Sequence, residues 1–408
     1  MEEKKNNIRF VAMSSYAAPE YKEVYNKDWV LYQDEYGNNY FKSLIERYLD
    51  SPTNACCING ISEMIYGRGL EATDSGEKPE MYAQMRLLLK PSCLRKVTSD
   101  FKLLGQAAMQ IVYNKSKTRI TQVLHFPMET LAAEKAKDGK IKAYYYHPDW
   151  DKMKPSDEPK RIPSFGNGSK SELIELYIIK PYRAGFYYWS PADYQACVQY
   201  ADLEREISNY HISNIQNGIQ PSLFINFNNG VPDEEAQQLI ENKISEKFGG
   251  TSNSGKAVIA FNEDPERKAT IEPIHLPDAH AQYQFYADEA REKIMLGHRI
   301  VSPILLGIKD NTGFGNNAEE LRTASVIMDN MVIRPFQNIL TEAIAEILAF
   351  NDIYLDLYFV TLQPIEFTEL DNIATQVRRE EETGEKLSEQ KTGWIEQFKA
   401  IFKKQEQE

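Results

Sequence analysis

Apolar residues recur at helical spacing after a polar start, then give way to short β-rich runs. Residues before about 35 are polar and tyrosine-rich and read as an irregular arm. Phe41, Leu44, Ile45 and Tyr48 predict a helix over Tyr40 to Leu49. Ser51 and Pro52 read as a cap and first helical position, leading into Ala55 to Tyr66 before Gly67 and Gly69 stop it. A further helix is predicted from Pro91 to about Gln106, handing over to an extended run, Met109 to Tyr113. Arg119 to Phe126, Lys140 to Tyr146, Glu172 to Lys180 and Gly185 to Trp189 are rich in Ile, Val, Tyr and Phe and read as strands. Turn residues separate them, including the loop from Pro155 to Ser171. Helices followed by short strands indicate an α+β unit.

At Ser190 the pattern changes. Ser190, Pro191 and Asp193 resemble a capped helix start, and Ala196, Tyr200, Leu203, Ile207 and Tyr210 form a narrow heptad-like seam that runs toward Asn217. A small α/β module follows: a strand from Pro221 to Phe227, a helix from Val231 to Phe248, a turn at Gly249 and Gly250, and strands from Lys256 to Phe261 and Ala269 to Ile274. A second long helix is predicted from Pro277 to His298, with a stripe at Tyr283, Tyr286, Ala290 and Ile294. Two long helices flanking a module with little core of its own place it at the tip of a helical stalk. Val301 to Ile308 leads into a glycine-containing stretch. A long helix from Asn317 to Phe350 follows, where Pro335 removes a helix hydrogen bond, costs about 3 kcal/mol and predicts a bend. Ile353 to Leu362 reads as a strand. The tail after it is charge-dense, with Trp394, Phe398 and Phe402 on one helical stripe.

The 408 residues hold 60 acidic against 47 basic side chains, a net charge of -13. Such a chain does not grip nucleic acid through a basic surface, because that binding relies on Lys and Arg displacing phosphate counterions. Neither a signal peptide nor an apolar run long enough to cross a membrane is read, so a reduced, cytoplasm-made protein is expected. Cys56, Cys57, Cys93 and Cys197 form neither a disulfide framework nor a CxxC pair, and the vicinal pair reads as core filler. The six histidines show no HExxH spacing.

Two glycine-rich strings imitate nucleotide loops. Gly250 to Ala257, GTSNSGKA, nearly spells a phosphate-cradling loop, but the order is helix, loop, strand, and Ala257 replaces the magnesium-binding hydroxyl. GFGNNA, with Gly313, Gly315 and Ala318, fits a dinucleotide fingerprint, but the helix after it is too long and no acidic strand end follows. Asp149 and Asp151 beside His147 read as a solvated Asx-type turn rather than metal ligands. Nothing in the residue pattern argues for an enzyme or a cofactor.

The order of elements resembles the portal proteins of tailed bacteriophages. YHISNIQNGIQPSLFIN is similar to the end of a stem helix and first clip strand. VPDEEAQQLIENKISEKFGGTSNSGKAVIAF is similar to the clip helix, turn and next strand. PDAHAQYQFYADEAREKIMLGHRIVSPILLGI resembles the second stem helix ending in V-x-P-x-L-L-G, and NAEELRTASVIMDNMVIRPFQNIL resembles the tunnel helix. CCINGISEMIYGRGLE and LLGQAAMQIVYN match early wing helices more loosely. The resemblance covers roughly residues 40–350.

The resemblance implies an α+β portal fold. Its parts are an α/β wing (1–189), a two-helix stem (190–218 and 277–299), a small α/β clip (219–276), a wing return (300–362) and a short helical crown (363–408). Within the return lie a tunnel loop (309–317) and a long kinked tunnel helix (317–350). It implies a non-enzymatic homo-oligomer, a ring of twelve at one capsid vertex, assembled in the host cytoplasm and carried in the virion without cofactor or membrane. It implies that double-stranded DNA is packaged and ejected through the ring. The large terminase, a head–tail adaptor and the major capsid protein are the implied partners. Lys309, Asn311, Thr312, Gly313, Phe314, Gly315 and Asn316 become the tunnel-loop residues nearest DNA. Asp202, Glu204 and Glu206 become candidates for an acidic channel wall, or equally a solvated outer face, and Pro335 the kink. The competing readings are an acidic capsid-associated adaptor or scaffold enclosing no channel, and, more remotely, a nucleotide-dependent enzyme.

Overall fold

Asn39 and Ser51 open the first two helices of the structure, a computed structural model describing residues 20–23, 26–34, 37–216, 223–227, 257–261, 270–272, 279–308 and 318–362. The Asn39 side chain accepts from the amides of Phe41 and Lys42 and starts α1 (Tyr40–Asp50). Ser51 accepts from Asn54 N and starts α2 (Pro52–Tyr66), which ends at Gly67 with φ 57. Each cap satisfies amides that the helix itself leaves open. α3 (Pro79–Leu88), which the spacing did not announce, is followed by α4 (Pro91–Leu104). At its end Gly105 adopts φ 76, and a Cβ there would meet Ala192 backbone at 2.7 Å, so only glycine fits.

The polar arm is not irregular throughout. β1 (Glu20–Glu23) and β2 (Trp29–Gln33) pair antiparallel and extend a five-stranded sheet in the order β1-β2-β6-β7-β8, with β6 at Leu131–Glu134, β7 at Ala143–Tyr146 and β8 at Lys160–Pro163. β8 falls inside the segment read as a loop. A second antiparallel sheet, β5-β4-β9, joins Ile120–Phe126, Ala107–Tyr113 and Ile174–Ile179. β4 is central and mostly buried, matching the extended run read there.

Gly185 to Trp189 is not a strand. Gly185 takes φ 85 in a turn closed by an Arg183–Phe186 bridge, and Tyr188 and Trp189 bury in the core. The aromatic run serves packing rather than pairing. Nor does a helix start at Ser190. Tyr194 is 1% exposed, a 3-10 turn covers Gln195–Cys197, and α5 runs Val198–Gln216.

β10 (Leu223–Phe227) lies between β11 (Ala257–Phe261), parallel to it, and β12 (Thr270–Glu272), antiparallel. All three strands match their reading. A parallel pair needs a crossover of a dozen or more residues, and residues 228–256 connect these two. The helix and glycine turn expected there lie outside the described residues. α6 (Ala279–Gly297) then runs back beside α5, with the Tyr210 and Tyr283 rings stacked 4.1 Å apart. The chain therefore leaves and returns at one place.

Next come a 3-10 turn, Pro303–Leu306, and one long helical stretch: α7 (Ala318–Met328), a π-turn over Asp329–Ile333, and α8 (Arg334–Ala349). β13 (Leu357–Phe359), shorter than expected, pairs with β3 (Leu70–Ala72). One apolar core joins α2, α4, β4 and α8 around Phe101, Met109, Leu340 and Ile344. Another joins α1 to Trp189, Tyr194 and Val198. Residues 1–360 form one compact unit and 361–408 a second; of the second, 361 and 362 are described.

Candidate functional site

The paired helices α5 and α6 are rooted in the body by polar groups that the apolar pattern hides. On α4, Lys102 sits among Phe101, Leu103 and Leu104 with no exposed side chain, its ammonium 2.8 Å from Asp193. Burial pushes the Lys102 pKa down against the pull of that carboxylate. Arg299, just beyond α6, reaches Asp193 from the other helix at 3.2 Å. One carboxylate thus ties the roots of both helices to α4.

His298, fully buried, stacks on Tyr194 with ring centroids 4.4 Å apart and donates from Nε2 to Asn54 Oδ1 at 2.8 Å. Burial, with Lys102 and Arg299 nearby, holds its pKa well below the usual histidine range. Gly297 presses on Cys197, leaving no space for a Cβ. Burial lifts the Cys197 thiol to about 12 and Cys57 to about 12, so both behave as packing groups. A sequence signal for this cluster existed: a lysine within the apolar sequence of α4, and a histidine and arginine closing an amphipathic helix.

Two of the three acidic residues singled out on α5 face this chain's own helices. Asp202 accepts from Arg47 Nε at 2.9 Å and pairs with Arg205 at 3.3 Å. Glu204 takes the Ser51 hydroxyl, the Thr53 hydroxyl at 2.6 Å and the Thr53 amide at 3.3 Å, capping the start of α2. Glu206 is different: its side chain is 63% exposed and touches only Arg205, at 3.4 Å, among the described residues. The acidic stripe therefore divides into two anchors and one solvent-facing carboxylate.

The apolar seams also shift. On α5 the buried positions are Val198, Ala201 and Ile207 rather than a seam starting at Ala196. On α6 Ala290 and Ile294 are buried, while Tyr286 and Phe285 stand out in solvent with Leu296. Val326, Ile327 and Met331 are exposed along α7 and the π-turn. Pro335 is the second residue of α8, just past that π-turn, which gives the expected interruption a form. Lys309, Asn311, Thr312, Gly313, Phe314, Gly315 and Asn316 lie outside the described residues, as do most residues of both nucleotide-like strings. Asp149 accepts from Asp151 N, the Asx-type turn expected, and both carboxylates lie near Lys42.

No protein-family model matches the chain. An uncharacterized protein of Rickettsia bellii is 25% identical over 151 residues, 36% of this chain and 38% of that protein, so the match spans well under half of either. The neck of an empty gene transfer agent (GTA) particle, computed with C6 symmetry, aligns at 15% identity over 87% of this chain and 92% of that one, with TM-score 0.54. The neck of the native GTA particle, computed with C12 symmetry, aligns at 15% identity over 83% and 88%, with TM-score 0.53. An HK97-family phage portal protein from Corynebacterium diphtheriae aligns at 10% identity over 77% and 94%, with TM-score 0.49. The α+β reading holds, and the fold is shared with these particle-neck chains.

Proposed function

We propose that the chain is the portal subunit of a tailed phage or phage-like particle, a non-enzymatic protein that closes into a ring around a channel for double-stranded DNA. The observation that carries this reading is the alignment of 87% of the chain with a particle-neck chain. The body would be the wing, α5 and α6 the stem, the β10–β12 sheet part of the clip, and α7–α8 the tunnel helix. The exposed apolar residues of α6 and α7 support association, since a monomer would leave them in water. The charge of -13 per chain supports a channel that DNA traverses without being held. Among the acidic residues of α5, Glu206 is the one free to face such a channel. The terminase, head–tail adaptor and major capsid protein would be its partners, and the virion vertex its place.

The purified protein is expected to form rings of twelve 47.0-kDa chains, about 564 kDa by native mass, seen as cogwheels with a central hole in negative stain. Closed assemblies without a hole would instead favour an adaptor or scaffold, and a chain that remains monomeric under assembly conditions rejects the proposal.

A further inference from the structure

A cleft of about 310 Å³ opens where the root of the stem meets the start of α8; Tyr182, Arg183, Asp193, Arg299, Pro335 and Phe336 are among its lining residues. Its apolar part includes Phe336, packed edge to face on the buried Phe101 with centroids 5.2 Å apart. Its polar part is cationic. The Asp193 carboxylate is shared by the buried Lys102 and Arg299, so two cations already face one anion before Arg183 is counted. Arg183 is exposed and makes no ion pair among the described residues, and Tyr182 beside it is 88% exposed.

Arg299 also holds an unusual backbone. It sits just past α6 at φ 59, with Arg299 N bonded to Leu296 O and Ile300 N to Met295 O, the helix ending that glycine normally occupies.

A space of this size accepts one or two side chains, not a folded element. Aromatic walls and paired guanidiniums select an apolar or aromatic residue flanked by carboxylates. The chain carries such a feature itself. In the turn after α8, Tyr354 is 58% exposed between Asp352 and Asp356, both exposed, and Asp352 makes no ion pair among the described residues. The cleft lies at the first turn of α8 and this turn beyond its last, so 16 residues of helix hold them about 24 Å apart. A head-to-tail ring needs two such different, complementary surfaces on every chain.

We propose that the Arg183–Arg299 cleft of one chain receives the Asp352–Asp356 turn of a neighbouring copy. This contact rests on the ring reading above. The test compares assembly of the full-length chain by native mass spectrometry for wild type, Arg183→Asp, Asp352→Arg and the double variant, with melting temperature as a check on folding. Each single variant is expected to raise the concentration needed for half-assembly about tenfold or more, and the double variant to restore assembly. Arg183→Asp should melt like wild type, and Asp352→Arg at a lower temperature because residue 352 holds φ 58. Singles that assemble like wild type, or a double no better than the worse single, overturn this contact and leave the ring intact. A wild type that never assembles overturns the ring and the contact together.

Discussion

The Lys102 ammonium lies 2.8 and 2.9 Å from the two carboxylate oxygens of Asp193, 91 residues away in sequence, with Lys102 wholly buried and Asp193 5% exposed. A buried pair of this kind contributes little against an apolar replacement, but removing one partner strands the other charge. Asp193→Ala is therefore expected to lose about 3–5 kcal/mol in chemical denaturation, while Lys102→Met with Asp193→Leu recovers most of that loss.

Gly297 and Cys197 meet so closely that a side chain on the first displaces the second. Gly297→Ala is expected to cost about 1–3 kcal/mol through overpacking. Cys197→Gly, which removes both the sulfur and the Cβ that press on this position, should relieve much of that cost in the double variant, so thermal melts of the four combinations should reveal non-additivity.

His298 makes stability depend on pH. Its folded pKa lies well below its unfolded value of about 6.5. Between those two values the unfolded chain binds more protons, so stability falls as pH drops through 6.5 and stops falling below the folded pKa. Above about pH 7.5 both states are neutral and the contribution vanishes. His298→Gln, which can still donate to Asn54, should flatten this part of the melting-temperature profile between pH 7.5 and 5.

Glu206 carries a prediction about the channel. In assembled rings, Glu206→Lys should increase retention of duplex DNA at low salt, with the gain lost as salt rises, because each added cation releases counterions from phosphate. Retention equal to wild type at every salt concentration would put Glu206 on an outer face.

Pro335→Ala restores the amide that the helix lacks just past the π-turn. Hydrogen exchange over residues 329–335 is then expected to slow as the segment reverts toward a regular helix. Unchanged exchange would mean the surrounding core, not the proline, sets the π-turn.

What the sequence determined by itself was local. Ser51 caps α2 through its own near neighbours, as read, and the runs at Met109–Tyr113 and Pro221–Phe227 were read as extended from composition and hold strands. Such signals act within a few residues, and at these positions packing agrees with them. The mix and order of elements also carried the α+β fold class, which the alignment with the particle-neck chain upholds. Tertiary structure alone decided the rest, because it depended on groups far apart in the chain. Ser190–Asp193 looks like a helix cap, yet the Asp193 carboxylate is engaged by Lys102 and Arg299, and α5 begins at Val198. Asp202 and Glu204 look like one acidic face with Glu206, yet Arg47, Ser51 and Thr53 claim the first two. A side chain's partner is settled by which distant segments packing brings within 3 Å, and spacing along the chain carries no measure of that distance.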